Sequence, residues 1–558
     1  MFGRIAGAVL PRAWCAKPEE ESAPAAVESG KYPQSAAKLY YFVDGRWQLA
    51  AAMVEPDIRN VEEEEDTVGG WYFEATGHFD ARVSDDLRLI MDASERSLTF
   101  FADDTYRLEF YESSGYERIR RQLDTALFEN NYQVEDTEAN KKKIFVSDSY
   151  AAWGKGEDPQ GVVWEIDEEV VPEPHELKEV GTGKRCQSVA QQLEMGGLDN
   201  SFLVRNNSVE VLRNTVGAVM SSDTSFDLKD QMGAFLTPQK ALLASGERDL
   251  LLLTPSGNKN SIFQMDIERG TMVSEWSCQK DGVDIGMKDI HTDTKSSQME
   301  SCSTFLGLDD NRLVRWDMRT SKGVVTESPA AATPLGYAGG HDFSRGTGFK
   351  CMATTGDGMI AVGGVDGRIR LYSDQVLSRA KTSFPGLGST ITDIDVTFDG
   401  KWVLATCDAY ILLVSTAFRN KNGSLTTGFT HPMGANMPAP RMLKLDPADA
   451  QRMHGASFQH ARFTWVTEQG KHERFVVASV GGCTVMWNFR QLKQSTAPGT
   501  QGPTTMGLRT CMDYILRPLK DEKVVQSAFM HDNFNRNGQE LVVATEHEIF
   551  SLAAMDED

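Results

Sequence analysis

The sequence predicts a mainly β protein: a C-terminal seven-bladed β-propeller preceded by a small antiparallel β-barrel with one C-terminal helix. Three observations predict it. A unit of two apolar strands around a tight Gly/Asp/Asn turn recurs through the last two thirds of the chain. Ahead of it, short apolar runs alternate with turn signals and end in a helical pattern. The length, 558 residues, exceeds what a single apolar core usually holds, about 250–300 residues.

Residues 1–30 are expected to be a disordered tail. Arg4, Arg12 and Lys17 are followed at once by Glu19, Glu20 and Glu21, and Pro11 breaks the short apolar stretch; organelle targeting by this tail is the alternative. The barrel is placed at 31–150. Leu39–Val43 meets Asp44-Gly45, a strong hairpin signal, and Trp47–Val54 follows. Further strands are expected at Trp71–Phe73, Leu87–Met91, Leu98–Phe101 and Tyr106–Tyr111. Ser114-Gly-Tyr-Glu117 has capping-box spacing, and Ile119, Leu123 and Leu127 share a helical face. Strands closed by one helix are the order of a pleckstrin-homology-like barrel. Lipid-binding barrels of that kind gather basic residues at the first hairpin, which here offers only Lys38 and Arg46, so a protein-binding or packing role is favoured. Lys141, Lys142 and Lys143 read as a solvated turn, and Glu62–Asp66 as an exposed loop.

An acidic, proline-bearing linker is expected over 151–198, and the propeller over 199–558. Repeat units begin near 202, 250, 304, 359, 401, 475 and 541, spaced as four-stranded blades of about 40–50 residues with insertions. Trp276, Trp316 with Asp317, Trp402 and Trp487 sit where WD-type blades place packing and turn residues, so their expected roles are structural.

Composition narrows the function. With 57 Lys+Arg against 80 Asp+Glu, the net charge of −23 repels polyanions, which argues against nucleic acid as a general partner. No run reaches the roughly 18–20 apolar residues of a membrane-spanning helix. Eight scattered cysteines without a CxxC pair argue against zinc and a disulfide framework, which points to a reducing, cytoplasmic setting, with the nucleus also open. P-loop, GxSxG, HExxH and strand-linked GxGxxG signatures are absent, so no catalytic residue, metal or cofactor is assigned.

One charged constellation stands out as a candidate protein-contact surface: Lys280, Asp281, Asp284, Lys288, Asp289 and Asp293, followed by Asp309, Asp310, Arg312 and Arg315. Interleaved opposite charges also fit plain exposed turns with local ion pairs. Around it, Ile262–Gly270, Glu275-Trp276, Lys280–Asp284, Met287–Ile290, Asp293-Thr-Lys295 and Thr304–Arg312 with Arg315–Arg319 closely resemble the vacuolar import and degradation protein 27 family. Similar text continues through Gly364–Tyr372, Thr390–Trp402 and Phe475–Asn488, and more weakly at Leu127–Asn130 and Trp153–Trp164. The sequence departs from that pattern at Ser277-Cys278 and His291-Thr292. The resemblance implies a cytoplasmic, non-enzymatic scaffold linked to targeting or degradation of cytosolic proteins, whose partners are cargo or degradation and trafficking machinery. A peripheral membrane adaptor acting through the barrel and an enzyme with a site in the propeller channel are the competing expectations.

Overall fold

The structure, a computed structural model, describes residues 32–63, 68–145, 176–182, 185–256, 259–300, 303–319, 333–334, 336–343, 348–468, 470–494, 504–505, 508–519, 522–535 and 540–555. The expected tail, part of the Glu62–Asp66 loop and residues 151–175 of the expected linker lie outside the described residues.

The N-terminal domain holds β1 (Ala37–Val43), β2 (Arg46–Val54), β3 (Asp57–Val61), β4 (Gly70–Ala75), β5 (Phe79–Arg82), β6 (Ile90–Asp92), β7 (Ser97–Ala102) and β8 (Asp104–Phe110), then α1 (Ser113–Tyr132) and α2 (Glu138–Phe145). One sheet runs β2-β1-β8-β7-β6 and a second β3-β4-β5. At the β1–β2 turn Asp44 and Gly45 both take positive φ, 51° and 80°, as a two-residue hairpin demands. Helix α1 buries Ile119, Leu123 and Leu127 against Phe73, Phe100 and Leu108.

Three local expectations are corrected. The capping box does not form: Ser114 lies inside α1, Glu112 is the N-cap without a side-chain cap bond, and Ser114 Oγ donates to Glu112 Oε2 at 3.2 Å. The expected strand Leu87–Met91 begins only at Ile90, because Ser84 Oγ caps a 3-10 turn at Asp85–Leu87 that Arg88 ends in the left-handed region, φ 49°. Lys141, Lys142 and Lys143 lie in α2, where Lys141 pairs with Asp136, and do not form a turn.

Most of the rest of the described chain forms four-stranded antiparallel units, sheets I to VII, with Thr333–Pro334 added in parallel to the edge of sheet II. Sheet I comprises Ala190–Glu194, Asn200–Arg205, Ser208–Thr215 and Ala218–Asp227, and sheet II comprises Lys240–Ala244, Asp249–Ser256, Lys259–Asp266 and Thr271–Ser277. Sheet III has Asp289–Thr292, Thr304–Asp309, Arg312–Asp317 and Gly336–Asp342, and sheet IV has Phe349–Thr354, Ile360–Gly364, Ile369–Tyr372 and Thr382–Phe384. Sheet V has Asp393–Val396, Trp402–Thr406, Ile411–Ser415 and Arg441–Leu443, and sheet VI has Phe458–Phe463, Phe475–Val480, Cys483–Asn488 and Ile515–Pro518. Sheet VII has Val524–Phe529, Leu541–Thr545 and Ile549–Met555, and its outermost strand is Glu176–Thr182, which precedes sheet I in the chain.

The first strands of successive sheets touch in turn, and that of sheet VII touches that of sheet I, so they surround a central channel. Apolar clusters fill the space between neighbouring sheets: Phe202, Val204, Leu250 and Leu252 between I and II, Trp276 and Trp316 between II and III, Trp402, Phe458 and Trp487 between V and VI, and Leu193, Leu203, Val542 and Ala544 between VII and I. The expected linker is corrected at its C-terminal end. Glu176–Thr182 and Ala190–Glu194 are propeller strands, and Leu177 is buried in the core between sheets VI and VII.

The two domains share backbone pairing. Strand Thr504–Thr505 pairs with β6 on one side and with Leu508–Cys511 on the other, and the latter runs parallel to Arg441–Leu443 of sheet V. At the seam buried Arg88 donates to the carbonyls of Ala409 (3.1 Å), Gly455 (3.3 Å) and Ala456 (2.8 Å). Lys444 Nζ donates to Leu89 O at 3.1 Å and Tyr132 Oη to Gly386 O at 2.6 Å.

Candidate functional site

The first strands line the channel: their apolar side chains enter the cores on either side, and polar side chains on several of them reach the neighbouring sheet. In Asp393-Ile-Asp-Val396, for instance, Ile394 and Val396 are buried in the core between sheets IV and V. These inward side chains cross-link the sheets. Gln192 reads both backbone groups of Ala241, accepting from N at 2.8 Å and donating to O at 3.0 Å, which ties I to II. Gln526 does the same to Leu193, at 3.1 and 3.0 Å, and ties VII to I. Lys240 pairs with Asp289 at 3.3 Å between II and III. Thr354 Oγ1 donates to Thr292 O at 3.2 Å between III and IV. Between V and VI, Asp393 Oδ2 meets Arg462 at 2.7 Å and His460 Nδ1 at 2.8 Å, while Asp395 accepts from Phe463 N at 2.9 Å.

Electrostatics follow from this crowding. Burial alone would raise the Asp393 carboxyl, but Arg462, His460 and Lys240 overcome it and hold the group well below the usual carboxylate range. Asp289 raises Lys240 against its burial. Glu194, at the end of the first strand of sheet I, has burial as its dominant influence and is pushed up to about 7 despite Lys240. His291 is lowered by burial and stays neutral near pH 7.

One mouth of the channel is covered. The loops joining first to second strands lie at that end, and the one from sheet III, Asp293–Glu300, forms a strap across the others. Lys295 N donates to Thr355 O of sheet IV at 3.0 Å, and its Nζ pairs with Asp395 of sheet V at 3.0 Å and also donates to Val396 O. Ser296 Oγ donates to Thr467 O of sheet VI at 3.3 Å. Met299 seats on Gly197 of sheet I, where an added Cβ would lie 2.5 Å from Met299 Sδ and 2.9 Å from His531 Cδ2, so a side chain there would displace the end of Met299. Below the strap Glu473 is buried, accepts from Phe398 N at 2.6 Å and is pushed up to about 7, chiefly by burial and against Lys295.

The charged constellation singled out in the sequence is divided by the fold. Lys280, Asp281 and Asp284 lie on a small hairpin, Gln279–Lys280 with Val283–Asp284, where Asp281 takes the left-handed turn position and Asp284 accepts from Gln279 Nε2 at 2.7 Å. Lys288 and Asp310 pair on the exposed surface, and Asp309 pairs with Arg312 at 3.3 Å. Asp289 instead points into the channel, and Asp293 anchors the strap by pairing with Arg315 at 2.8 Å and accepting from Thr304. Trp316 and Trp487 are fully buried, Trp276 and Trp402 nearly so, and Asp317 pairs with Arg319 at 2.8 Å. The sequence reading did not single out Glu194, Lys240, His291, Asp395, His460, Arg462 or Glu473 as site residues; all but Glu473 lie on first strands of their sheets, and Glu473 lies on a loop. Among the described residues no cluster of three His, Cys, Asp or Glu side chains suits a metal ion, and no helix is long and apolar enough to cross a membrane.

Comparison with known proteins supplies the remaining findings. A family model described as the VID27 C-terminal WD40-like domain matches residues 188–554, and a domain of unknown function, DUF7135, matches residues 24–146. Vacuolar import and degradation protein 27 of Schizosaccharomyces pombe is 32% identical over 303 residues, 53% of this chain and 36% of the relative. The Saccharomyces cerevisiae protein of that name is 30% identical over 305 residues, 51% of this chain and 36% of the relative. The matched stretch thus spans little more than a third of either relative. Two solved structures are similar at 11% identity: a chain of the mitotic checkpoint complex (TM-score 0.40, 72% of this chain and 97% of that one) and the Myceliophteria thermophila Cps50 (Swd1) β-propeller domain (TM-score 0.43, 68% and 100%).

Proposed function

The chain belongs to the vacuolar import and degradation protein 27 family, and from that premise we propose that it is a non-enzymatic protein-interaction scaffold of the cytoplasm, acting in the targeting or degradation of cytosolic proteins. One observation carries the reading: the inward polar side chains of the channel are engaged in sheet-to-sheet cross-links, with Asp393 held by Arg462 and His460 and Asp289 by Lys240. Groups committed in this way serve the ring, which leaves recognition to its outer surfaces. The hairpin bearing Lys280 and the exposed Lys288–Asp310 turn form the candidate contact face. The N-terminal domain, pleckstrin-homology-like in its strand-then-helix order, is carried in a fixed pose by the Arg88 seam and presents a second surface beside it.

The test is capture of partners by the tagged full chain from its own cell extract, beside the K280E/K288E double variant. Lys280 lies in a short hairpin and Lys288 in an exposed ion pair with Asp310, so the variant should stay within about 1 kcal/mol of the parent. Loss of a defined partner set supports the reading, and an unchanged set removes that face from consideration.

A further inference from the structure

The cross-links of the channel occupy the acceptors of the ring and only part of its donor capacity. Asp393 Oδ1 accepts from Ile394 N at 2.8 Å, and its Oδ2 takes both Arg462 and His460. Asp289 Oδ1 accepts from Ile290 N at 2.9 Å and pairs with Lys240. Asp395 is filled by Val396 N, Phe463 N and Lys295.

The opposite holds for their partners. Among the described residues the Lys240 ammonium meets a single carboxylate, Asp289, and so keeps N–H groups to spare. Arg462 spends one nitrogen on Asp393 and another on Ala461 O, at 3.0 Å, again fewer than its guanidinium offers. His460 is aimed by a β-bulge: the register slips between Gln459 and Arg462, and His460 takes φ 49°. Its Nδ1 faces a carboxylate, which only accepts, so Nδ1 carries the proton and, in the neutral ring, Nε2 is an acceptor without a partner among the described residues. The side chains of His460, Lys240 and Arg462 are 41%, 31% and 28% exposed, so solvent reaches all three.

These residues come from different sheets and face one space. Lys240 and Asp393 begin the first strands of sheets II and V, at the end of the channel away from the strap, and the charges of Asp393 and Arg462 both bear on Lys240. Both cations stay charged: Asp289 raises Lys240 against its burial, and burial, the largest influence on Arg462, is outweighed by Asp393 and Asp395.

We propose that this end of the channel binds a carboxylate that carries an adjacent N–H or O–H group: Lys240 and Arg462 take the carboxylate oxygens, and His460 Nε2 accepts from the neighbouring donor. The site lies within the ring, apart from the face that bears Lys280, and goes beyond the scaffold reading. A doubly charged phosphate fits poorly, because Asp289 and Asp393 stand beside the cations and repel a second negative charge. Free hydroxy acids carry the required chemistry, and so does the C-terminus of a peptide, whose last amide N–H is next to its carboxylate.

Saturation-transfer NMR and calorimetry on the full chain test the site. The probes are N-acetylglycine for a peptide C-terminus, glycolate for a free hydroxy acid, propionate for a carboxylate without the donor, and N-acetylglycinamide for the donor without the carboxylate. N-acetylglycine or glycolate should bind saturably, with a dissociation constant on the order of 1 mM. Propionate should bind severalfold more weakly and N-acetylglycinamide not at all, and the tighter of the first two acids identifies the source. K240Q should weaken that acid by ~10-fold or more. H460F, which keeps a ring and removes its nitrogens, should bring the acid to the level of propionate and leave propionate unchanged. The proposal is overturned if neither acid binds saturably, if N-acetylglycinamide binds as well as N-acetylglycine, or if folded K240Q binds like the parent. The probe series on the parent protein decides even where a variant fails to fold.

Discussion

Replacing Arg88 by methionine tests the seam between the domains. The change keeps the aliphatic bulk and the backbone preference at φ 49°, and removes only the guanidinium. Three carbonyls, of Ala409, Gly455 and Ala456, then lose a donor in a site that excludes water. At about 1–2 kcal/mol for each buried acceptor left unmade, the loss is ~3–6 kcal/mol. Against it stands the cost of holding a buried cation, visible in the lowering of Arg88 by burial, and its removal returns about 1–2 kcal/mol. The expected net loss is therefore about 2–4 kcal/mol, concentrated at the seam. Urea unfolding of parent and R88M, followed by circular dichroism and by hydrogen exchange of β6 against sheet V, should show the two domains separating into distinct transitions. A single coincident transition displaced by less than ~1 kcal/mol would refute the claim that these bonds couple the domains.

Two further outcomes are expected. D393N leaves Arg462 and His460 without their carboxylate in the channel, and removing one partner of a buried pair should destabilise the protein by about 3–5 kcal/mol in urea titrations, discounted toward the lower end because His460 and Arg462 keep partial contact with water. Glu194 and Glu473 give a pH dependence of definite sign: their folded values, about 7, lie above the 4.5 of the free side chain, so their stabilising contribution is complete below pH 4.5 and is lost as pH rises through 7. The melting temperature should fall between pH 5 and 8 by the equivalent of up to about 5 kcal/mol for the two groups together, and the E194Q/E473Q double variant should flatten that slope; an unchanged slope would contradict the assignment.

Why the propeller was legible in the sequence is itself physical. The expected unit starts, near 202, 250, 304, 359, 401, 475 and 541, lie at or beside the second strand of each sheet, because second and third strands are joined by the tight turns that carry a readable signal. First and fourth strands enter through longer connections, so Glu176–Thr182 and Ala190–Glu194 were absorbed into the expected acidic linker. The channel residues were hidden for a related reason. Arg462 and Asp393 lie far apart in the chain, and nothing local marks them as partners. At Leu87–Met91 the apolar run resembled a strand, yet Ser84 capping and the left-handed Arg88 made a turn that turns the guanidinium toward the propeller. Asp289 and Lys288 show the limit of reading charge clusters: adjacent residues on a strand face opposite ways, so one joined the channel and the other the surface.

The outermost strand of sheet VII comes from upstream of sheet I, with Thr182 set against Phe550 and Glu176 against Met555. During synthesis this separation becomes a waiting time. The strand at 176–182 leaves the ribosome well before its partner at 549–555, with six sheets translated in between. Until then Leu177 has no core to enter, and the apolar faces of sheets VI and VII stand uncovered. Arg88 meanwhile sits in a domain already synthesised, facing carbonyls not yet translated. Assembly of the ring thus waits on pairing between segments far apart in the chain, a high-contact-order closure that leaves the intervening polypeptide exposed to chaperones.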